Sequence, residues 1–329
     1  MVAQANTTLK SKAMKRKGNL YQKTISVANL LLAEKNARRG KQHQYGVVTF
    51  DKDPEHKIIA LHESLNNKTY KTSPYKTFNI LDPKPREIFC LPYYPDRIVH
   101  HAIMIPLEKI FVSTFTSDTY SCIKRKGIHA AVRSVKKALK DKEGTKYCLK
   151  IDIKKFYPSV DHDILKQLLR KKIKDNDLLE LLDEIIDSAP GLPIGNYLSQ
   201  YLANFYLAYF DHWIKETMGV KNYWRYADDI VITLDNKQDL HRLRVAITEY
   251  LRDNLKLTVK GNYRVFLVAS CGIDFLGYVF YHTHTRLRKG IKQNYFRMLS
   301  NNPNSKSKAS YYGWMLHANC INLQRKQAA

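Results

Sequence analysis

Residues Trp224-Arg-Tyr-Ala-Asp-Asp-Ile-Val-Ile232 place two adjacent carboxylates, Asp228 and Asp229, between two β-forming runs. The stretch reads as a strand, a tight turn and a second strand, with the acids at the turn. Taken alone, the pair is as compatible with an ordinary Asp-Asp hairpin turn as with a metal site. A metal site needs carboxylates on a rigid frame, so the deciding question is whether another strand brings a third. Tyr147-Cys-Leu-Lys-Ile-Asp-Ile153 does: it is a largely apolar strand with Asp152 near its end. The two segments lie about 75 residues apart with helical sequence between them, so they can be neighbours in one sheet. Acids at neighbouring strand positions repel each other and lose solvation. Two divalent cations set about 3.5–4 Å apart offset that cost and suit in-line phosphoryl chemistry. Magnesium fits an all-oxygen ligand set and keeps substrate phosphates in its shell.

The rest of the chain bounds the reading. Its 329 residues, 44% of them hydrophobic, suffice for a sizeable core in two or three subdomains around one site. No run of 18 apolar residues occurs, so no transmembrane helix and no membrane partner are expected. The first 18 residues lack the apolar core of a secretory signal. Cys90, Cys122, Cys148, Cys271 and Cys320 are scattered, with no zinc spacing, which predicts reduced thiols in a cytoplasmic protein. Lys and Arg outnumber Asp and Glu by 55 to 30, a net charge of +25. Residues 1–44 hold ten basic residues against the single acid Glu34, and from Val279 onward there are nine basic residues and no acid. A polyanion is the natural partner, because each neutralised phosphate releases counterions.

Along the chain, residues 1–18 read as a basic arm, Leu20–Arg39 and 54–70 as helices. Tyr75 to Leu91 reads as a hairpin whose turn bears Lys84 and Arg86, followed by a helix from Arg97 to Phe111 capped by Asp96 and kinked at Pro106. Helices are predicted at 127–140, after Ser159 or Asp161, at 177–188, from Leu198 to about Thr217 and from Gln238 to Asn254. Leu255–Lys260 reads as a strand, Cys271–Tyr281 as a last hairpin, and the basic tail as helical near Ile291–Ser300 and Ala309–Leu323. His100 and His101 sit on a predicted helix without ligand spacing and read as structural.

Four motifs in order resemble those of reverse transcriptases. KIDIKKFYPSVDHDIL looks like the segment bearing the first catalytic aspartate, and RYADDIVI like the Tyr-x-Asp-Asp box. LDPKPREIFCLPYYPDRIVHHAI is similar to the fingers motif, and IDFLGYVF to the primer-grip hairpin. The resemblance runs from about Tyr70 to Tyr281. It implies an α+β right-hand polymerase fold, with fingers, a palm of antiparallel sheet plus helices, and a small helical thumb. The expected division is a basic arm and helices at 1–70, fingers at 71–145, palm at 146–270, and primer grip with basic thumb at 271–329, without an RNase H domain.

The resemblance also implies roles. Asp152, Asp228 and Asp229 would be catalytic, and with the Ile153 carbonyl would hold two magnesium ions, or manganese. Tyr157 would lie under the incoming sugar, where its ring meets a ribose 2′-hydroxyl. Lys84 and Arg86 would reach the triphosphate. Phe275, Leu276 and Gly277 would form the primer grip. Lys260 sits where some polymerases place a general acid, a position a surface lysine fills equally well. Ile194-Gly-Asn-Tyr-Leu-Ser-Gln200 resembles the Gly-x-x-x-Ser-Gln motif of diversity-generating retroelement reverse transcriptases, which puts Ile194 and Gln200 near the templating pair. Such enzymes copy a template RNA into adenine-mutagenised cDNA for retrohoming, with a small accessory barrel protein as partner. A stand-alone reverse transcriptase of a defence system or retron is the nearest alternative, and a non-catalytic RNA-binding protein the remote one.

Overall fold

Polar residues at helix starts and apolar runs in the strands account for most of the elements. The computed structural model describes residues 16–81, 85–301 and 304–320. The chain forms α1 (Tyr21–Ile25), α2 (Val27–Ala37), α3 (Tyr45–Phe50), α4 (Pro54–Asn66), β1 (Lys76–Ile80), β2 (Arg86–Cys90), α5 (Ile98–Val112), α6 (Ile128–Ala138) and β3 (Tyr147–Asp152). It continues through α7 (His162–Arg170), α8 (Asn176–Asp187), α9 (Tyr197–Tyr206), α10 (Ala208–His212), β4 (Asn222–Tyr226), β5 (Asp229–Leu234) and α11 (Lys237–Leu255). It ends with β6 (Arg264–Leu267), α12 (Val268–Cys271), β7 (Ile273–Phe275), β8 (Tyr278–Phe280), β9 (Thr285–Leu287), α13 (Lys289–Ser300) and α14 (Ser305–Met315). No helix among the described residues is long and apolar enough to cross a membrane.

Two units are distinguished: Met1–Ser113 with Val160–Leu202, and Thr114–Ser159 with Ala203–Ala329. In the first, α5 is the central helix; Ile98, Val99, Ala102, Ile103, Leu107 and Phe111 are buried, and α2 packs along it. The single helix predicted for Leu20–Arg39 is two, because the Ser26 backbone leaves helical geometry and its hydroxyl accepts from Asn29 N. Asp161 and Asp175 cap α7 and α8 in the same way. Asp96 caps nothing: a helical turn at Tyr93–Arg97 leads straight into α5 and removes the free end. It is instead fully buried and accepts from Tyr70 OH (2.8 Å) and Ser73 N (3.0 Å). Pro106 does not end α5. The Ala102 carbonyl, which lacks its N–H partner at position 106, accepts from Asn29 Nδ2 at 3.0 Å instead.

The second unit holds an antiparallel sheet in the order β4-β5-β3-β6, with α11 packed on it. The middle positions of β4 and β5 are buried on both faces, which is why they read as near-continuous apolar runs. The predicted strand at Leu255–Lys260 is reduced to one bridge, Ile153 with Val259, and the sheet edge is β6. The cause is the end of α11: Lys256 turns left-handed (φ 51°) and Leu257 N bonds back to Leu251 O. The last hairpin gains a third strand to form the small sheet β7-β8-β9. Trp224 and Val231 of the first sheet share one apolar cluster with Phe275, Tyr278 and Phe280 of the second, and with Tyr295 and Met315 of α13 and α14.

Candidate active site

The β4–β5 hairpin closes on two residues, Ala227 and Asp228, between the paired Tyr226 and Asp229. Ala227 has φ +54°, a left-handed conformation that costs an L-residue about 1–2 kcal/mol and in such turns usually belongs to glycine. Its backbone N–H donates to Ser121 Oγ at 3.0 Å, and its carbonyl accepts from Arg225 Nη1 at 3.0 Å. The strained residue is therefore held at both its polar groups.

Strand β3 lies beside β5 with Asp152 directly opposite Asp229. The Asp152 carbonyl accepts from Lys260 N (2.8 Å), on the far side from β5. The Asp152–Asp229 pair is thus of the non-hydrogen-bonded kind, in which cross-strand side chains come closest. By the same alternation Ile153, unbonded in its bridge to Val259, turns its carbonyl toward the β5 side, where the Asp228 turn lies.

The acids are under-compensated. Burial, then the neighbouring Asp152 carboxylate, pushes Asp228 up to about 6. Burial also raises Asp229, against the pull of Lys150. Lys260 Nζ sits 2.7 Å from Asp152 Oδ2 and Lys150 Nζ 3.5 Å from Asp229 Oδ2. Asp152 Oδ1 and Asp229 Oδ1 are buried with no hydrogen-bond partner. Among the described residues no three His, Cys, Asp or Glu side chains are gathered into a ready-made metal cage. Asp152 and Asp228 converge, while Asp229 faces Lys150. Hard oxygen donors of this kind, completed by a backbone carbonyl, water and phosphate, suit magnesium.

Tyr157 opens the short helical turn after β3. Burial first, then the charges of Cys122 and Asp228, raise its hydroxyl well above the usual phenol range. The residues expected to form the primer grip lie at the β7–β8 turn, with Leu276 (φ +51°) and Gly277 (φ +84°) both left-handed. A Cβ on Gly277 would stand 2.6 Å from the Trp314 ring, so only glycine fits. Phe275 is fully buried in the core, which leaves the hairpin backbone to make any outward contact. Lys150 joins this hairpin to the acids: its ammonium donates to the Asp274 carbonyl while facing Asp229.

The other expected site residues lie in the first unit. Lys84 is outside the described residues; Arg86 begins β2 and is exposed. Ile194 is half-buried, and its carbonyl accepts from Phe89 N of β2 at 2.8 Å. Gly195 (φ +128°) passes so close to the Phe89 carbonyl that a Cβ would approach to 2.3 Å. Gln200 is exposed in the first turn of α9. His100 and His101 are buried; burial lowers each to about 4, and His101 stacks on Tyr197 at 4.1 Å.

Lys150, Ser121, Arg225 and Asp211 escaped the sequence reading. Lys150 had a signal, since strand alternation puts it on the face of Asp152. So did Arg225: a charge inside an apolar strand demands a buried partner. That partner is Asp211, fully buried, whose Oδ1 accepts from Arg225 Nε (2.7 Å) and Tyr223 OH (2.5 Å) and whose Oδ2 accepts from Arg225 Nη2 (2.5 Å) and Thr119 Oγ1 (2.9 Å).

Comparison with known proteins identifies the family and the fold. Protein YkfC of Escherichia coli K12 is 24% identical over 263 residues, covering 66% of this chain and 68% of that protein. The group II intron-encoded protein LtrA of Lactococcus lactis subsp. cremoris is 26% identical over 179 residues, 50% of this chain but 29% of LtrA. Among solved structures, apo telomerase from Candida tropicalis superposes with a TM-score of 0.51 at 12% identity, over 68% of this chain and 49% of that one, a likeness of fold alone. The α+β polymerase fold expected from the motifs is therefore the fold observed. Residues 70–280 match the family described as reverse transcriptase (RNA-dependent DNA polymerase), nearly the span over which the four motifs run. The chain belongs to the reverse transcriptase family.

Proposed function

We propose that this protein extends a primer on template RNA with deoxynucleoside triphosphates, by two-metal nucleotidyl transfer. The observation that supports this most is the meeting of Asp152 and Asp228, half-buried at the end of β3 and in the adjoining β4–β5 turn and only partly neutralised by lysine. Magnesium or manganese bound there would activate a primer 3′-hydroxyl and stabilise the leaving pyrophosphate. Asp152, Asp228 and the Ile153 carbonyl would hold the ions. Asp229 would add negative charge while fixing Lys150 against the Asp274 carbonyl. Tyr157, in the helical turn that follows β3, would exclude a 2′-hydroxyl and so select deoxynucleotides. Lys84 and Arg86 would meet the triphosphate, and the β7–β8 turn of Phe275, Leu276 and Gly277 would support the primer end. Lys260, held on Asp152, would pass a proton at the reacting phosphates. Such an enzyme works where RNA and nucleotides are, in the cytoplasm.

Within that chemistry the reading is an enzyme of a diversity-generating retroelement, making adenine-mutagenised cDNA for retrohoming with a small accessory barrel protein. Its support is the Ile194–Gln200 motif, whose loop is stitched to β2, the strand that begins with Arg86. The decisive experiment is primer extension by the purified protein on a defined RNA, followed by sequencing of the cDNA with and without a candidate accessory protein. Extension that stops in the Asp228→Asn variant, with errors concentrated at template adenines, is the expected result. Errors spread evenly in both conditions would favour the defence or retron reading. Undiminished extension by Asp228→Asn would overturn the site itself.

A further inference from the structure

We propose that Ser121 and Arg225 are positioning residues of the nucleotidyl-transfer site, which set the place of Asp228 by holding the left-handed Ala227 at both its polar groups. The inference rests on the polymerase reading of the acids, and adds how their geometry is made.

Asp228 follows a residue whose backbone does not choose its conformation. At φ +54° an alanine is strained, and left to itself would relax toward the right-handed region and swing the next residue with it. Two contacts oppose this: Ala227 N–H to Ser121 Oγ and Arg225 Nη1 to Ala227 O, each 3.0 Å. Neither partner is free to follow the turn. Ser121 is buried; its hydroxyl donates to Asn204 Oδ1 (3.0 Å) while Asn204 Nδ2 donates to the Ser121 carbonyl (2.8 Å). Arg225 is fully buried, clamped through two nitrogens on Asp211, with Nη1 also reaching Asn204 Oδ1 at 3.1 Å. Its backbone is tied on both sides, Arg225 N to Asp118 O and Tyr120 N to Arg225 O, each 3.0 Å. The segment around Ser121 and the strand around Arg225 thus form one frame, and Ala227 is suspended between its two ends. Magnesium requires near-ideal ligand geometry, so a carboxylate displaced by a fraction of an ångström binds it less well.

The test uses the full chain and manganese alone, read by the loss of the free-ion paramagnetic resonance signal, with Mn2+-dependent primer extension alongside. Ser121→Ala removes one hold without disturbing the Arg225–Asp211 pair. It is expected to weaken Mn2+ binding by about tenfold and to lower kcat for extension by about 10–100-fold, as expected for displacement of a catalytic group by up to about 1 Å. Ala227→Gly supplies a residue that adopts φ +54° without strain, and so relieves the need for the hold. In that background Ser121→Ala should weaken Mn2+ binding by no more than about twofold. Arg225→Lys, which keeps the charge opposite Asp211 but shortens the reach to Ala227, should follow the same pattern. An equal loss with and without Ala227→Gly would overturn the proposal, since a merely structural serine gives that result. So would Mn2+ binding unchanged in Ser121→Ala. If the wild type bound Mn2+ but did not extend a primer, the polymerase reading would fall, while weaker Mn2+ binding by Ser121→Ala would still support the positioning role.

Discussion

Two charged clusters lie within a few residues of each other on the β4–β5 hairpin, and they are built on opposite principles. Around Asp211 every carboxylate oxygen has donors: Tyr223, Thr119 and two nitrogens of Arg225. Burial alone would lower Arg225, yet the charge and hydrogen bonds of Asp211 more than offset it and leave the guanidinium raised. Around Asp228 three acids meet two partly exposed lysines, two carboxylate oxygens have no donor, and Asp228 rises to about 6. A saturated cluster has nothing left to offer a ligand and serves as framework. An undersaturated one is costly by itself and is made favourable by binding cations. The same hairpin supplies both, with Arg225 on β4 in the first and Asp228, in the turn three residues further on, in the second.

The contrast can be broken at either end. Asp228→Asn should lower primer extension by at least about 10³-fold, equivalent to about 4 kcal/mol of transition-state stabilisation, with the fold retained. Single-turnover extension and circular dichroism on the same sample would check both halves. Arg225→Met should act in the other direction: it leaves Asp211 buried and unpaired and should cost about 3–5 kcal/mol of stability. Denaturant unfolding measures this, and a loss below about 1 kcal/mol would mean that the cluster does not serve as framework. Tyr157→Ala should leave the fold intact and reduce discrimination against ribonucleotides by about 10–100-fold, read as the ratio of kcat/KM for the two nucleotide types.

The smallest effect sharpens the comparison most. A carboxyl raised from 3.8 to about 6 binds its proton more tightly in the folded state than in the unfolded chain. Its favourable contribution is complete below 3.8 and is lost as pH rises through about 6, so at neutral pH the ionised Asp228 is a burden. In chelator at pH 7.5, Asp228→Asn should therefore be more stable than wild type, by about 1 kcal/mol after solvent screening of this half-buried group. The difference should close as pH falls from 6 toward 4. A variant less stable than wild type at pH 7.5 would show that the acid is already saturated by its lysines.

Much of this site was legible in the residue order. Asp228 and Asp229 between β-formers, Asp152 at the end of an apolar run and Tyr157 just beyond it were placed by strand periodicity and by resemblance. Helix starts were less legible. Ser26 divides a helix that apolar spacing reads as one, and Asp96 looks like a cap but is a buried acceptor for Tyr70 and Ser73. Local propensity sees the side chain but not the partner that claims it. Asn29, whose amide takes the carbonyl freed by Pro106, shows the same limit, because its target lies 73 residues away in the chain.

By itself the sequence determined the chemistry on offer: one acid at the end of a strand and two at a hairpin turn, a net charge of +25 and an aromatic five residues after Asp152. These are properties of residue type and short-range period. Only the tertiary structure decided which acids converge, that Lys150 and Lys260 face them, and that a strained alanine is held by Ser121 and Arg225. Those facts depend on register across a sheet and on contacts between segments about 100 residues apart, which no local pattern in the chain records.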